Sequence, residues 1–593
     1  MMIPPLLLKI RATAILLVLM TCTTGCARSI VANSHIQQSA SITKVGKRYV
    51  VHGEVDLKGQ TLNLPSRAVL DCRNGILSNG RVVGKQNKVL YSAPFVGGYL
   101  TIEGCYVEDI IVRSENILTK NGFSNQDVHN VFNLARNGAT VVYEGGTYKD
   151  ITHINISKNV TIDFSNSIIE TAIDKDGLSC SVFLTDAEPS TLLKSVVLKN
   201  VIIDGKIPKY GLDSSSGQRR NAIRIVGANN VVLDNVTIRN FRYGTNGYYA
   251  KNVKKRHMAG VCVIMDYTNC TIQNCELSMC TGEGFYIVPE ENDHNYLLFR
   301  GNKSKQNYGT FLTLVDGKCL VEDNEMEKFG LSGMNVFCYN SVIRNNHFKG
   351  GERYNCIDIT ENGLYWPRNV EISNNTADEC EGFIMASGEN ITITNNVCKN
   401  PTSAFALTIY GYSKTNESSP EYLIQRGKAG GDVKVKIQNN DWQCRGGIAT
   451  YPGCNGELSI IGNTITIIPN DIKSPHRGTA MEFYGCKKLL VEGNTFNNSY
   501  RNSITRANVY ITIKSSSCEA IIKNNNFNKT IPNTDISHFL FTEDATFEDL
   551  IIEDNQSNVQ GINARVVEGR LAVKGKKKVR NNRGIVVRGT ALE

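Results

Sequence analysis

The chain has 593 residues, 65 Lys and Arg against 56 Asp and Glu, a net charge of +9 and 41% hydrophobic residues. That length exceeds what one compact core supports, so the chain is either several domains or a solenoid in which each unit touches only its neighbours. The positive charge is too dilute to imply nucleic acid, and it suits an acidic polymer partner.

Residues 1–26 read as an export signal. Lys9 and Arg11 precede a short apolar run, Ala12 to Met20, and the segment closes on Thr23-Thr24-Gly25-Cys26. The apolar run is too short for a membrane span. The small residues before Cys26 resemble a bacterial lipobox, with Thr23 where Leu is usual. The resemblance implies that Cys26 is lipidated and that the mature chain is held in the periplasm or at the outer membrane by that lipid. Ala-Arg-Ser follows instead of the acidic run of surface-export signals in Bacteroidetes-type lipoproteins. No later segment is long and apolar enough to span a bilayer. Residues 27–44 are a polar tether, and with the lipid signal they argue for a monomer.

Of the 18 cysteines, two lie in the signal region, and the rest are scattered without a CxxC pair. Zinc is therefore not expected. Cysteine is small and apolar, so free, buried thiols are the favoured reading even though export would permit disulfides.

Residues 45–124 alternate as short strands with turn residues between them (RYVVHGEVDL, AVLDCRNGILSNG, YLTIEGCYVEDIIV), a small N-terminal β region or a set of early coils. A short amphipathic helix follows, beginning at Asn125-Gln126-Asp127 and carrying Val128, Phe132 and Leu134 on one face. From residue 160 onward one phrase recurs: CTIQNCEL, LLFRGNKS, CLVEDNEM, SVIRNNHF, VEISNNTA, ITITNNVC, VKIQNNDW, LSIIGNTI, LLVEGNTF, AIIKNNNF and LIIEDNQS. Aligned on the sixth letter, it places Cys275 and then Asn302, Asn324, Asn346, Asn375, Asn396, Asn440, Asn463, Asn494, Asn525 and Asn555. The spacing is often near 22 residues, and the 44 between Asn396 and Asn440 is twice that, so one coil there is disguised or replaced by a loop. Period-two alternation makes the pieces strands. A single strand cannot bury its face alone, so the coils stack. The fold class expected is all-β: a right-handed, single-stranded parallel β-helix over residues 125–558, with a short N-terminal capping helix. Residues 559–593 form a basic cap or tail. Asn is expected at a corner because it tolerates a left-handed bend and can hydrogen-bond up and down a stack.

The helix followed by G-x-T-V-x-x-x-x-G-x-Y (Gly138 to Tyr148) resembles the start of the pectate-lyase-like β-helix superfamily, where such a helix caps the first coil. That superfamily includes lyases, glycosidases, esterases, epimerases and tailspikes, so the resemblance fixes fold and leaves function to local sites. It implies a substrate groove floored by the third strand of each coil. Alternation along those strands points Ile223, Val261, Phe285, Met334, Ile357, Phe383 and Met481 inward. It points Arg224, Asp266, Tyr286, Asn335, Asp358, Thr408, Tyr410 and Glu482 outward. Polar and aromatic side chains in one row suit a sugar; an ordinary solvated sheet face is the bland alternative.

Two insertions precede floor strands at one end of the groove. One carries Arg219 and Arg220, the other Tyr249, Lys255, Arg256 and His257. Cations beside tyrosines suit a polyanionic glycan, since Arg grips a carboxylate bidentately. A lyase would use Arg224, Arg220 or Arg256 to neutralise a uronate, with His257 or Tyr286 moving the proton. A hydrolase would use two carboxylates among Asp266, Glu283 and Asp358. Residues 299–330 are similar to the core coils of β-helix alginate and chondroitin lyases (polysaccharide lyase family six), but Val315 stands where that family has Arg, and GEGFYIVPEE lacks its Lys. The paired aspartates and the GHG of polygalacturonases are missing too. No cofactor is assigned. Ca2+ would be the fitting cation for Glu283, Glu290, Glu291 and Asp293, although a solvated acidic turn is the favoured reading. The expected function is cleavage of an acidic polysaccharide by β-elimination or hydrolysis, and the alternative is a non-catalytic, adhesin-like glycan binder.

Overall fold

The computed structural model describes residues 40–585 except 118–123, 187–192, 211–220, 243–261, 266–268, 289–294, 361–366, 401–404, 411–432, 452–453, 455, 469–478, 499–507, 515–516, 529–536, 544 and 559–570. Cys26 and the export signal lie outside the described residues.

Ser41–Val45 pairs antiparallel with Arg48–Asp56. After that first hairpin the N-terminal region is already parallel: Arg48 faces Val69, Thr61 faces Arg81 and Leu77 faces Val96. The early strands are thus a short stack of coils. Helix Asn125–Leu134 follows, and its N-cap is Ser124, one residue before the expected start. Ser124 and Asp127 bond each other's backbone N–H in a reciprocal cap. Val128, Val131, Phe132 and Leu134 are fully buried. Asn130 ties the helix to the preceding coils, donating to Leu100 O (2.6 Å) and accepting from Ile102 N (3.2 Å).

The main body is one right-handed parallel β-helix with three faces. On the first face Val196, Val231, Cys270, Leu297 and Cys319 follow one another in register. The second carries Thr237, Glu276, Lys303, Glu325 and His347. On the third, Ile223, Cys262, Phe285, Leu312, Met334, Ile357, Ile384 and Leu407 share one register, and Ile223, Phe285, Leu312, Met334, Ile357, Ile384 and Leu407 form the inward line. Inward residues of all three faces form one continuous apolar core. Two details differ from the alternation expected. Val261 lies outside the described residues, and it is Cys262 that shares register with Ile223 and Phe285. On the next affected strand Ile384 continues the inward line, while Phe383, equally buried, sits one residue earlier at the corner.

The asparagine ladder is the repeating joint. From Asn324 to Asn525 each side-chain N–H of one Asn donates to the Oδ1 of the next at 2.8–3.0 Å, and the backbone N–H of the same residue bonds that oxygen too. These residues are almost wholly buried. Asn396 bonds Asn440 directly, so the long interval is a single coil enlarged by an insertion. The ladder also runs past 558: Asn555 donates to Asn582 (2.9 Å), and Leu571–Val573 and Lys577–Arg580 pair with Ala545–Glu553. The basic tail therefore supplies another coil. Every described cysteine is free, and all but Cys180 are buried.

Candidate functional site

Because every second residue of the third face enters the core, the residues between them form an outward row. Its register reads Arg224, Val263, Tyr286, Thr313, Asn335, Asp358, Met385, Thr408, Ala449, Glu482 and Thr512. Adjacent members stand about 4.8 Å apart, the spacing of hydrogen-bonded strands.

Asp358 is the chemically distinctive member. It is half-buried, and burial pushes its carboxyl up to about 6, against the pull of the Thr360 donors. Those donors are the Thr360 N–H (2.9 Å) and hydroxyl (2.7 Å), both on Oδ1. A carboxyl near 6 exists in both protonation states around neutrality, as proton transfer requires. The two coils before it carry Asn335 and Thr313, whose Oδ1 and Oγ1 are buried and have no hydrogen-bond partner among the described residues. Such orphans cost about 1–3 kcal/mol each, which a polar ligand would offset.

Two residues beyond this row a second one begins. Tyr410 stacks on Tyr451 of the next coil, with centroids 4.3 Å apart and planes 10° apart. Burial, the Tyr451 hydroxyl and the Asp358 charge all hold the Tyr410 phenol above its ordinary value, so Tyr410 remains protonated around neutrality. The following coil adds Tyr484, whose hydroxyl donates to Glu482 Oε1 (2.9 Å) and accepts from Lys514 Nζ (3.0 Å). Lys514 also pairs with Glu482 at 2.9 Å, both largely buried, and lies 5.2 Å from the Tyr484 ring centroid. Burial opposes the ammonium, but its bonds to Tyr484 and Glu482 outweigh that and hold Lys514 above its ordinary value.

Of the residues expected from sequence, the structure brings Arg224, Tyr286, Asn335 and Asp358 into one row, with Tyr410 beside it. Glu283 is not in the row. It is buried at the corner before Tyr286 (4% exposed), in a tight passage where a Cβ on Gly309 would come within 1.7 Å of Gly282 O. The expected Glu283–Asp358 pairing does not form: strands Leu312–Glu322 and Met334–Arg344 lie between their coils, which puts them roughly 14 Å apart, beyond the ~9.5 Å limit for two-carboxylate hydrolysis. Arg219, Arg220, Tyr249, Lys255, Arg256, His257 and Asp266 lie outside the described residues, as do Glu290, Glu291 and Asp293. Among the described residues no group of three His, Cys, Asp or Glu could hold a metal ion. Sequence reasoning missed Thr313, Tyr451, Tyr484 and Lys514. Thr313 was within reach of alternation, being the middle residue of LTL.

These features define a right-handed parallel β-helix that carries a polar and aromatic row on its third face. Residues 221–398 match the family described as right handed beta helix region, so the expected likeness to that superfamily holds. No curated protein matches the chain. Among solved structures, the chain is similar to PfbA, a surface adhesin of Streptococcus pneumoniae, at 13% identity over 71% of this chain and 89% of that one, with a TM-score of 0.34. It is similar also to a Family 28 exopolygalacturonase of Yersinia enterocolitica, at 11% identity over 80% of this chain and 79% of that one, with a TM-score of 0.29.

Proposed function

We propose that the chain is an exported, lipid-anchored protein that binds a polysaccharide along the third face and cleaves it with Asp358 as the proton-transferring group. One observation carries this reading: a carboxyl raised to about 6 stands in register with two orphaned buried polar atoms, Thr313 Oγ1 and Asn335 Oδ1. Tyr410 and Tyr451 supply the aromatic surface that a pyranose ring seeks. Arg224 in the same row, with the cationic insertions read from sequence, favours an acidic glycan. The test is to incubate the mature protein with acidic and neutral polysaccharides while following reducing ends and the ultraviolet absorbance of unsaturated uronates. Activity with either signature that is lost in Asp358→Asn sustains the reading, and full activity in Asp358→Asn overturns it.

A non-catalytic glycan binder is the second reading. It is favoured by the spacing of the row: the next carboxylate beyond Asp358 among the described residues is Glu482, four coils on or about 19 Å. Affinity without any product on long incubation would select it.

A further inference from the structure

We infer that the groove between the N-terminal coils and the start of the main β-helix is a second binding site, for an acidic oligosaccharide. The groove encloses about 1040 Å³, at the upper end of ligand-site volumes. Arg67, Gln86 and Tyr106 line one wall, and Arg136, Asn137 and Lys158 the other.

Its electrostatics follow from who is already paired. The C-terminal end of helix Asn125–Leu134 opens into the groove and would ordinarily repel an anion. Lys158 reverses this: its Nζ donates to the carbonyls of Phe132 (3.2 Å), Asn133 (3.0 Å) and Ala135 (2.8 Å). With those three bonds made, Lys158 contributes charge and no free donor. Glu103 is held by Arg81 (2.7 Å), and Lys88 by Glu108 (2.6 Å). Arg67 and Arg136 remain, both exposed and neither in an ion pair within 4 Å among the described residues, although the Arg136 charge also helps hold the Glu108 carboxyl down.

The Arg136 guanidinium is held against a ring, and the backbone of Arg67 is fixed at a corner. Arg67 has a left-handed backbone (φ 60°), fixed where its N–H bonds Lys85 O at 3.1 Å. Arg136 lies over the Tyr106 ring, 4.9 Å from its centroid. Two forks of donors, one backed by an aromatic ring, suit a carboxylate carried on a flat-faced ring better than a bare ion. Gln86 and Asn137 add donors and acceptors for hydroxyls. The inference does not depend on the third face, from which the groove is separate.

The experiment is calorimetric binding of a galacturonate tetrasaccharide to full-length Asp358→Asn protein, which cannot consume the probe if Asp358 acts as proposed. In the same background, Arg67→Ala with Arg136→Ala should weaken binding about a hundredfold, since each lost charge-assisted contact is worth about a factor of ten. Both side chains are exposed, so the double variant should melt as the parent does. Tyr451→Ala should leave this binding component intact, which distinguishes it from failure at the third face. Unchanged affinity in the double variant overturns the inference. So does absence of tetrasaccharide binding, equal affinity for a neutral tetrasaccharide, or equal affinity for inorganic phosphate.

Discussion

Asn375 shows how one corner divides its labour. Its N–H and Nδ2 both bond Asn396 Oδ1 at 3.0 Å, Nδ2 also reaches Ile343 O, and its own Oδ1 accepts from Asn346. Asn374, the residue before it, takes the left-handed conformation (φ 55°). The same split recurs at Asn395, Asn439, Gly462, Gly493, Asn524 and Asp554, each of which turns the corner ahead of a ladder Asn. Sequence reasoning located the corner and assigned both tasks to a single residue; the repeated N-N, G-N and D-N pairs were the signal for two. Asn375→Ala should therefore lower stability by about 2 to 4 kcal/mol, because buried groups on both neighbouring coils lose partners at about 1–3 kcal/mol each. Asn374→Gly, which keeps the turn, should cost far less. Chemical denaturation of the two variants measures the difference. Asp358 makes a prediction of opposite sign. Its folded value of about 6 lies above the ordinary 3.8, so the folded state favours the protonated form. Stability from that preference is complete below 3.8 and is lost as pH rises through 6. Asp358→Asn should thus unfold at a higher temperature than the parent above pH 6, and the gap should close toward pH 4.

The third-face strands show what alternation could and could not reveal. Arg224, Tyr286, Asn335 and Asp358 were legible because each lies inside a strand whose inward neighbours are large and apolar, such as Ile223, Phe285, Met334 and Ile357. Tyr451 was not legible because the strand it follows, Gly446–Thr450, reads GGIAT and carries too little alternation to be recognised as a floor strand. Its place beside Tyr410 is set by the pairing of the preceding residues, Ile409 with Thr450. Lys514 was hidden for another reason: its meaning depends on Glu482 and Tyr484, which are about thirty residues away in sequence and one coil away in space. The Lys514–Glu482 pair has side-chain exposures of 14% and 4%, so removing one partner strands a buried charge. Lys514→Met should destabilise by about 3 kcal/mol or more. Adding Glu482→Gln should recover much of the loss, since no charge is then left uncompensated. Denaturation midpoints across the double-mutant cycle test this. On the same strands Tyr451→Ala removes a stacked ring worth about 0.5–1.5 kcal/mol, and so should weaken glycan binding up to about tenfold without disturbing the inward line.

At the scale of the whole molecule the thiols report on the stack. Cysteines are distributed along the coils, from Cys72 and Cys105 in the N-terminal unit through Cys356, Cys398 and Cys444 to Cys518 near the far end, and among the described residues none is in a disulfide. Burial pushes the thiols of Cys105 to about 11 and of Cys275 and Cys518 to about 12, so in the folded chain these three are protonated and poorly nucleophilic, whereas the Cys356 thiol beside Cys380 holds the latter below its ordinary value. A thiol reagent can therefore reach them only when a coil opens. Each coil is held by its two neighbours alone, so coils near an end open at a smaller cost than those in the middle. The two ends are unequal. The N-terminal unit ends on the hairpin of Ser41–Val45 with Arg48–Asp56 and is tied to the main stack by helix Asn125–Leu134, whose Asn130 bonds it directly, whereas the far end closes on the short strands Leu571–Val573 and Lys577–Arg580. Pulsed alkylation under mild denaturant, read by mass spectrometry, should label Cys518 first and Cys398 and Cys444 last. Simultaneous labelling of all sites would mean that the stack opens as one cooperative unit. In that case the ladder from Asn324 to Asn582 couples the coils more strongly than nearest-neighbour contacts alone.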